Sequence, residues 1–196
     1  MVRNDPKWII LHHSGGLASD PLFDTSNQTF KDIDDYHKFR WNGTTNSSLG
    51  YYSGYHYVID KLGIITQARN DLEGGAHTIG MNYQSIGICL IGNFDAKYPT
   101  EQQKKTLSVL LSILQGRYLI PWSRIVPHRT FANKTCFGKN LTNTWGAELL
   151  QNKVFTNGYI RSMIQKLINL KIINEPKLAL LFGALSSGPL NNLEAD

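Results

Sequence analysis

The sequence is poor in cysteine, with only Cys89 and Cys136 among its 196 residues. At most one disulfide can form, which excludes a small scaffold held together by several bridges. Cys89 lies in the apolar run Ser85–Ile91, where a cysteine is typical of a buried, small hydrophobic residue. A bridge would consume the thiolate that a metal site needs. We therefore expect two free thiols.

Long apolar segments are also missing. The N-terminal residues Met1–Pro6 lack the apolar stretch of a signal peptide. The longest late apolar run, Leu178–Leu185, is far shorter than the roughly 20 residues that span a bilayer. We expect no membrane insertion, and we expect a protein that is made in the cytoplasm and stays there until something releases it.

The composition is that of an ordinary globular protein, with 41% hydrophobic and 18% charged residues. The length suits one well-buried core. A formal net charge of +5 favours an anionic partner such as a cell-wall polymer, a nucleic acid or a membrane surface, although a solubilising excess of charge explains it equally well. Because no nucleic-acid-binding motif accompanies the charge, we expect no nucleic-acid partner.

Apolar runs and capping residues predict an α/β fold, with a single mixed or mostly parallel central sheet flanked by helices. Two loops rich in Gly and Asn separate these elements, at residues 41–53 and 71–84. The predicted elements are a strand over Trp8–His12, a helix capped by Thr29 that runs to Arg40, a hairpin of Tyr55–Ile59 with Ile64–Gln67, a strand over Ser85–Ile91, a helix opened by a capping box of Thr100 and Gln103, and a short strand over Arg124–Val126.

The composition changes after about Gln151, and residues 151–196 predict a helical C-terminal extension. Its apolar stripe consists of Ile160, Met163, Ile164, Leu167 and Ile168. The extension is marginal in length for an independent domain. We expect it to pack on the core, with wall binding and oligomerisation as alternatives.

Three potential metal ligands stand out. His128 and Cys136 lie eight residues apart, Lys134 lies two residues before the thiol, and the pair His12 and His13 closes the first strand. Two imidazoles and a thiolate suit zinc, and a zinc site with only three protein ligands keeps an open position for water. Since adjacent residues of a strand point to opposite faces, only one histidine of the pair can easily reach the metal. A lone histidine at a strand end is nevertheless more often structural.

Five strings occur in a fixed order along the chain: Ile10–Ser14, Gly54–Ile59, Gly75–Asn82, Ser85–Asn93 and Pro127–Cys136. Together they resemble the type 2 N-acetylmuramoyl-L-alanine amidases, a family that includes phage lysozyme-type amidases and peptidoglycan-recognition proteins. The resemblance covers roughly residues 7–150. It implies an amidase domain over that range, with a fold like that of the recognition proteins.

The resemblance also implies roles for individual residues. The zinc ligands map onto His12, His128 and Cys136, and the catalytic residues onto Tyr55 and Lys134. The lysine is typical of the phage branch. One departure is that the family usually has Cys-Pro-Gly where this chain has Cys136-Phe-Gly, and the loss of a fixed φ leaves the turn after the ligand less defined.

His77 and Asn82 are expected to contact substrate, although a structural role for His77 is nearly as well supported. The implied function is a zinc-dependent hydrolase that cuts peptidoglycan between N-acetylmuramic acid and L-alanine, acting as a monomeric phage endolysin. A bacterial autolytic or recycling amidase is one alternative. A peptidoglycan-binding module without catalysis is another, and retention of the full ligand set argues against it.

Overall fold

A five-stranded mixed sheet forms the centre of the fold, which a computed structural model describes for residues 3–151. The strand order is β3-β2-β4-β1-β5, with β2 and β3 antiparallel and all other neighbours parallel. This confirms the predicted fold class. The strands are β1 (Trp8–His13), β2 (Tyr57–Ile59), β3 (Ile65–Gln67), β4 (Ser85–Leu90) and β5 (Ile125–Pro127), and the α-helices are α1 (Phe30–Arg40), α2 (Glu101–Tyr118) and α3 (Trp145–Gln151).

Strand β1 lies in the interior of the sheet, because it pairs with β4 on one side and β5 on the other, and all of its residues after Trp8 are buried. Ile9 and Leu11 join the larger hydrophobic core, to which α2 contributes. The alternation of side chains then separates the two histidines, as predicted. The Nδ1 atom of His13 accepts a hydrogen bond from the backbone N–H of Phe94 at 3.0 Å. His12 instead lies beside Tyr55, which packs with α1 residues in a second, smaller core.

Side-chain caps fix where the two long helices begin. Thr29 and Asp32 form a capping box at the start of α1, and Thr100 and Gln103 form another at the start of α2. The Gln103 amide also donates to the carbonyl oxygen of Ile91 at 2.8 Å. The start of α2 is therefore tied to the chain just beyond the end of β4.

The structure corrects some boundaries. Strand β5 lies at Ile125–Pro127, one residue later than predicted, and β2 begins at Tyr57 instead of Tyr55. Helix α3 was not predicted. It contains Gly146, a poor helix former, whose lack of a side chain lets the backbone approach β1: a Cβ atom there would lie 2.5 Å from Cδ1 of Leu11.

The predicted C-terminal extension lies outside the described residues, apart from Gln151, which ends α3. Over residues 3–151 the structure contains no helix with the length and hydropathy that a membrane span requires.

Candidate active site

The fold brings the three predicted metal ligands together. His12 lies near the end of β1, His128 follows β5 directly, and Cys136 lies in the loop beyond. Their potential ligand atoms all lie within 4.8 Å of one another. Because β1 and β5 are parallel neighbours, their carboxyl ends meet at one edge of the sheet, which is where functional groups collect in such folds.

The distance between the Cys136 sulfur and one imidazole nitrogen fits a shared zinc ion. Zinc bonds of about 2.3 Å to sulfur and about 2.0 Å to nitrogen, at a tetrahedral angle, place the two ligand atoms roughly 3.5 Å apart. The Sγ atom of Cys136 lies 3.7 Å from Nδ1 of His12, and the rings of His12 and His128 have centroids 4.5 Å apart. Two imidazoles and one thiol are also a donor set that zinc favours.

The protonation of the ligands depends on their burial. Burial lowers the pKa of His12 well below its ordinary value, and it lowers the pKa of His128 to about 4 with help from the charge on Lys134. Both imidazoles are therefore neutral near pH 7, as a metal ligand requires. Burial raises the pKa of the Cys136 thiol to about 12, against the effects of the His13 backbone N–H and Lys134. A cation beside this sulfur would favour its thiolate form.

Two side chains hold the turn that carries Cys136. The Asp95 carboxylate accepts from the Thr135 hydroxyl at 2.6 Å and from the Lys139 backbone N–H at 2.7 Å. On the other side, the Arg129 backbone N–H donates to the carbonyl oxygen of Cys136 at 2.6 Å, and its guanidinium donates to the carbonyl oxygen of Gly138 at 2.7 Å. Neither residue was predicted to support the site, and the tethers from Asp95 cross 40 or more positions of the chain.

Phe137 stands where the family usually has proline. Its side chain is fully buried, and its ring centroid lies 5.3 Å from that of Trp145. Gly138 follows with a φ of +109°, and a Cβ atom there would lie 2.5 Å from Cβ of Phe94. Core packing and a required glycine thus define the turn that proline would otherwise restrict.

Tyr55 lies beside the predicted ligands. Its ring centroid is 4.9 Å from that of His12. Burial raises the pKa of its hydroxyl well above the ordinary value, and the thiols of Cys89 and Cys136 raise it further. The hydroxyl is consequently protonated near pH 7 and can donate a hydrogen bond. Cys89 itself is buried and free, as predicted.

Lys134 lies in the exposed part of the loop before Cys136. Its ammonium group is close enough to lower the pKa values of both His128 and Cys136. The predicted catalytic lysine therefore borders the ligand cluster while it remains open to solvent.

His77 touches the cluster directly. Its Nδ1 atom lies 3.0 Å from Nε2 of His12, within hydrogen-bond distance. Asn82 contacts the backbone around His77. Its amide oxygen accepts hydrogen bonds from the backbone N–H groups of His77 at 2.8 Å and Thr78 at 2.8 Å. His77 therefore lies at the site, and Asn82 holds the backbone of the loop through its amide oxygen.

His37 is a further residue at the site whose part the sequence did not reveal. It lies on α1 and is buried. Its Nδ1 atom accepts from the backbone N–H of Gly54 at 3.0 Å, and its ring lies 5.1 Å from that of Tyr55. His37 thus fixes the chain immediately before the predicted catalytic tyrosine.

Comparison with known proteins agrees with this geometry. The family model described as N-acetylmuramoyl-L-alanine amidase matches residues 2–139, which is well over half of the chain. The chain belongs to this amidase family. The match confirms the resemblance predicted from the five strings.

Individual relatives come from phages and from animals. The endolysin of Enterobacteria phage T3 is 33% identical over 98 residues, a stretch that covers 47% of this chain and 63% of the phage protein. A human N-acetylmuramoyl-L-alanine amidase is 30% identical over 97 residues, which cover 47% of this chain and 17% of the human protein. The chain thus spans less than two thirds of the length of the phage relatives.

Solved structures show the same architecture. The endolysin LysCS from Clostridium intestinale matches with a TM-score of 0.61 and 28% identity, covering 76% of this chain and 86% of that protein. The recognition protein PGRP-SA from Apis mellifera matches with a TM-score of 0.59 and 20% identity, covering 79% and 87% of the two chains. The second likeness concerns the fold alone.

Proposed function

We propose that this protein is a zinc-dependent amidase that hydrolyses the bond between N-acetylmuramic acid and L-alanine in peptidoglycan, and that it acts as a phage endolysin. The observation that carries the proposal is the convergence of His12, His128 and Cys136 within 4.8 Å from three separate segments. The names of the phage relatives support the endolysin assignment. Synthesis in the cytoplasm, followed by release to the wall, is part of the proposal.

His12, His128 and Cys136 would hold the zinc ion. A zinc ion bound by three protein ligands supplies Lewis acidity and lowers the pKa of water from 15.7 towards about 7. The site residues fit this role because the two imidazoles are neutral near pH 7 and the thiol lies at ligand distance from one of them.

Tyr55 and Lys134 would stabilise the negative charge that develops on the carbonyl oxygen of the scissile amide. Tyr55 offers a hydroxyl that burial keeps protonated, and Lys134 offers a positive charge on an exposed side chain. Such donors act on charge that forms only in the transition state, and the loss of one typically costs a factor of about 10²–10³ in turnover.

The test is mass spectrometry of purified sacculi after digestion by the zinc-loaded protein. We expect stem peptides that begin with a free L-alanine amine, together with glycan strands of unchanged repeat. Cys136→Ser is the matched control, and it should lose most zinc and most release of peptides.

Two other results would contradict the proposal. Binding to sacculi without release of peptides would favour a non-catalytic recognition module. Cleavage within the glycan or within the stem peptide would assign a different bond specificity.

A further inference from the structure

We infer that His77 is a positioning residue for the metal ligand His12: it fixes the tautomer of the His12 ring, so that Nδ1 of His12 is the atom presented to the metal. The inference rests on the proposed zinc function and deepens it. It also replaces the substrate contact that the sequence suggested for His77.

The chain of hydrogen bonds starts at a backbone carbonyl group. The Ser85 hydroxyl donates its only proton to the carbonyl oxygen of Met81 at 2.7 Å. Towards His77 Nε2, at 3.4 Å, the Ser85 oxygen can therefore act only as an acceptor. Nε2 of His77 carries the proton in this arrangement, which leaves Nδ1 as an acceptor.

The hydrogen bond to His77 then determines the tautomer of His12. Its Nε2 atom lies 3.0 Å from the unprotonated Nδ1 of His77, so Nε2 must be the donor. Thr78 reinforces the pair, because its hydroxyl oxygen lies 3.0 Å from His77 Nδ1 and 3.4 Å from His12 Nε2. The lone pair of His12 Nδ1 is thereby left free, on the side where the Cys136 sulfur lies 3.7 Å away.

Two glycines allow the backbone to approach the His77 ring closely. A Cβ atom at Gly75 would lie 2.5 Å from the ring, and one at Gly87 would lie 2.6 Å from it. The backbones of two segments therefore enclose the ring at distances that no other residue type permits without movement. Asn82 holds the backbone of His77 from the other side. The ring is thus built into the fold, as a positioning group requires.

The expected consequence is a change in metal affinity. Partners that bind the second nitrogen of a ligating histidine typically contribute a factor of about 10–100 to the affinity for the metal. A side chain that only contacts substrate contributes nothing to this affinity and acts on KM. The two roles of His77 are therefore separable by measurement.

The experiment measures the affinity for zinc alone, by competition with a chelator, in the unmutated chain and three variants. His77→Leu removes the acceptor and should bind zinc about 10–100-fold more weakly. His77→Asn places an amide oxygen near the position of Nδ1 and should recover most of the affinity. Gln84→Ala is the control, because Gln84 supports the same loop through the carbonyl oxygen of Gly80 at 3.2 Å and does not touch His12. Circular dichroism verifies that each variant folds.

Two results would overturn the inference while the unmutated chain binds zinc. One is an unchanged zinc affinity in His77→Leu with a raised KM for muramyl peptides, which would restore a substrate contact. The other is an equal loss in Gln84→Ala or in His77→Asn, which would point to loop order instead of the hydrogen bond. Failure of the unmutated chain to bind zinc would overturn the proposed function itself.

Discussion

The residues of the candidate site differ in their burial and in the groups that they contact. His12 contacts Cys136 through one ring nitrogen and His77 through the other, so both nitrogens of this buried ring have defined partners. Lys134 differs because its side chain is exposed and its influence is electrostatic. We therefore expect His12 to act on zinc affinity and Lys134 to act on turnover.

Lys134→Ala is predicted to retain zinc and to lower kcat by about 10²–10³, the usual loss for a donor that stabilises a developing oxyanion. Zinc content and the rate of peptide release from sacculi check the two halves of the prediction. Lys139→Ala removes another exposed lysine of the same loop and should leave the rate unchanged. An unchanged rate in Lys134→Ala would remove this lysine from catalysis.

At the scale of elements, the loop that carries Cys136 is held from outside by Asp95, which lies beyond the end of β4. Asp95→Ala is predicted to free the Thr135 hydroxyl and the Lys139 backbone N–H. Because the ligand would then sample more positions, zinc affinity should fall by about tenfold, the lower end of the range for groups that orient ligands. Chelator competition measures the loss.

Asp24→Ala is the matched control for Asp95→Ala. Asp24 forms an ion pair with Lys97, which lies two positions after Asp95 in the sequence, and it is not among the residues that hold the loop of Cys136. Its replacement should leave zinc affinity unchanged. Equal losses in the two variants would show that surface charge, and not the tether, determines the affinity.

The elements that the sequence predicted well are those with local causes. The capping boxes at Thr29 and Thr100 depend on residues three positions apart, and both occur where expected. Strands β1 and β4 depend on continuous apolar runs. Helix α3 was not predicted because Gly146 lowers the local helix propensity. The helix instead packs closely against Leu11 of β1.

The three predicted ligands and Tyr55 were identified from the family strings, and the fold places them together. The residues that hold the predicted ligands in place were not predicted from the sequence. The hydrogen bond between His12 and His77 spans 65 positions of the chain, and the hydrogen bond between Asp95 and Thr135 spans 40. Such pairs arise from strand order and loop packing, which no local pattern in one sequence encodes.

At the scale of the whole molecule, buried neutral histidines link stability to pH. Burial lowers the pKa values of His13, His37 and His56 from 6.5 to about 4 each. Between pH 6.5 and pH 4 the unfolded chain binds more protons at these positions than the folded chain. The free energy of unfolding therefore falls as the pH falls through this window.

We predict that the metal-free protein loses stability progressively from about pH 6.5 to about pH 4, with little contribution from these histidines above that range. Urea unfolding at a series of pH values, in the presence of a chelator, provides the measurement. A free energy of unfolding that stays constant across this window would contradict the burial of these three rings.

In the proposed function, three distant segments of one chain hold a single zinc ion. Anomalous diffraction at the zinc absorption edge, on crystals of the zinc-loaded protein, tests it most directly. We expect one strong peak bounded by His12, His128 and Cys136. A peak at another location, or none in fully loaded crystals, would contradict it.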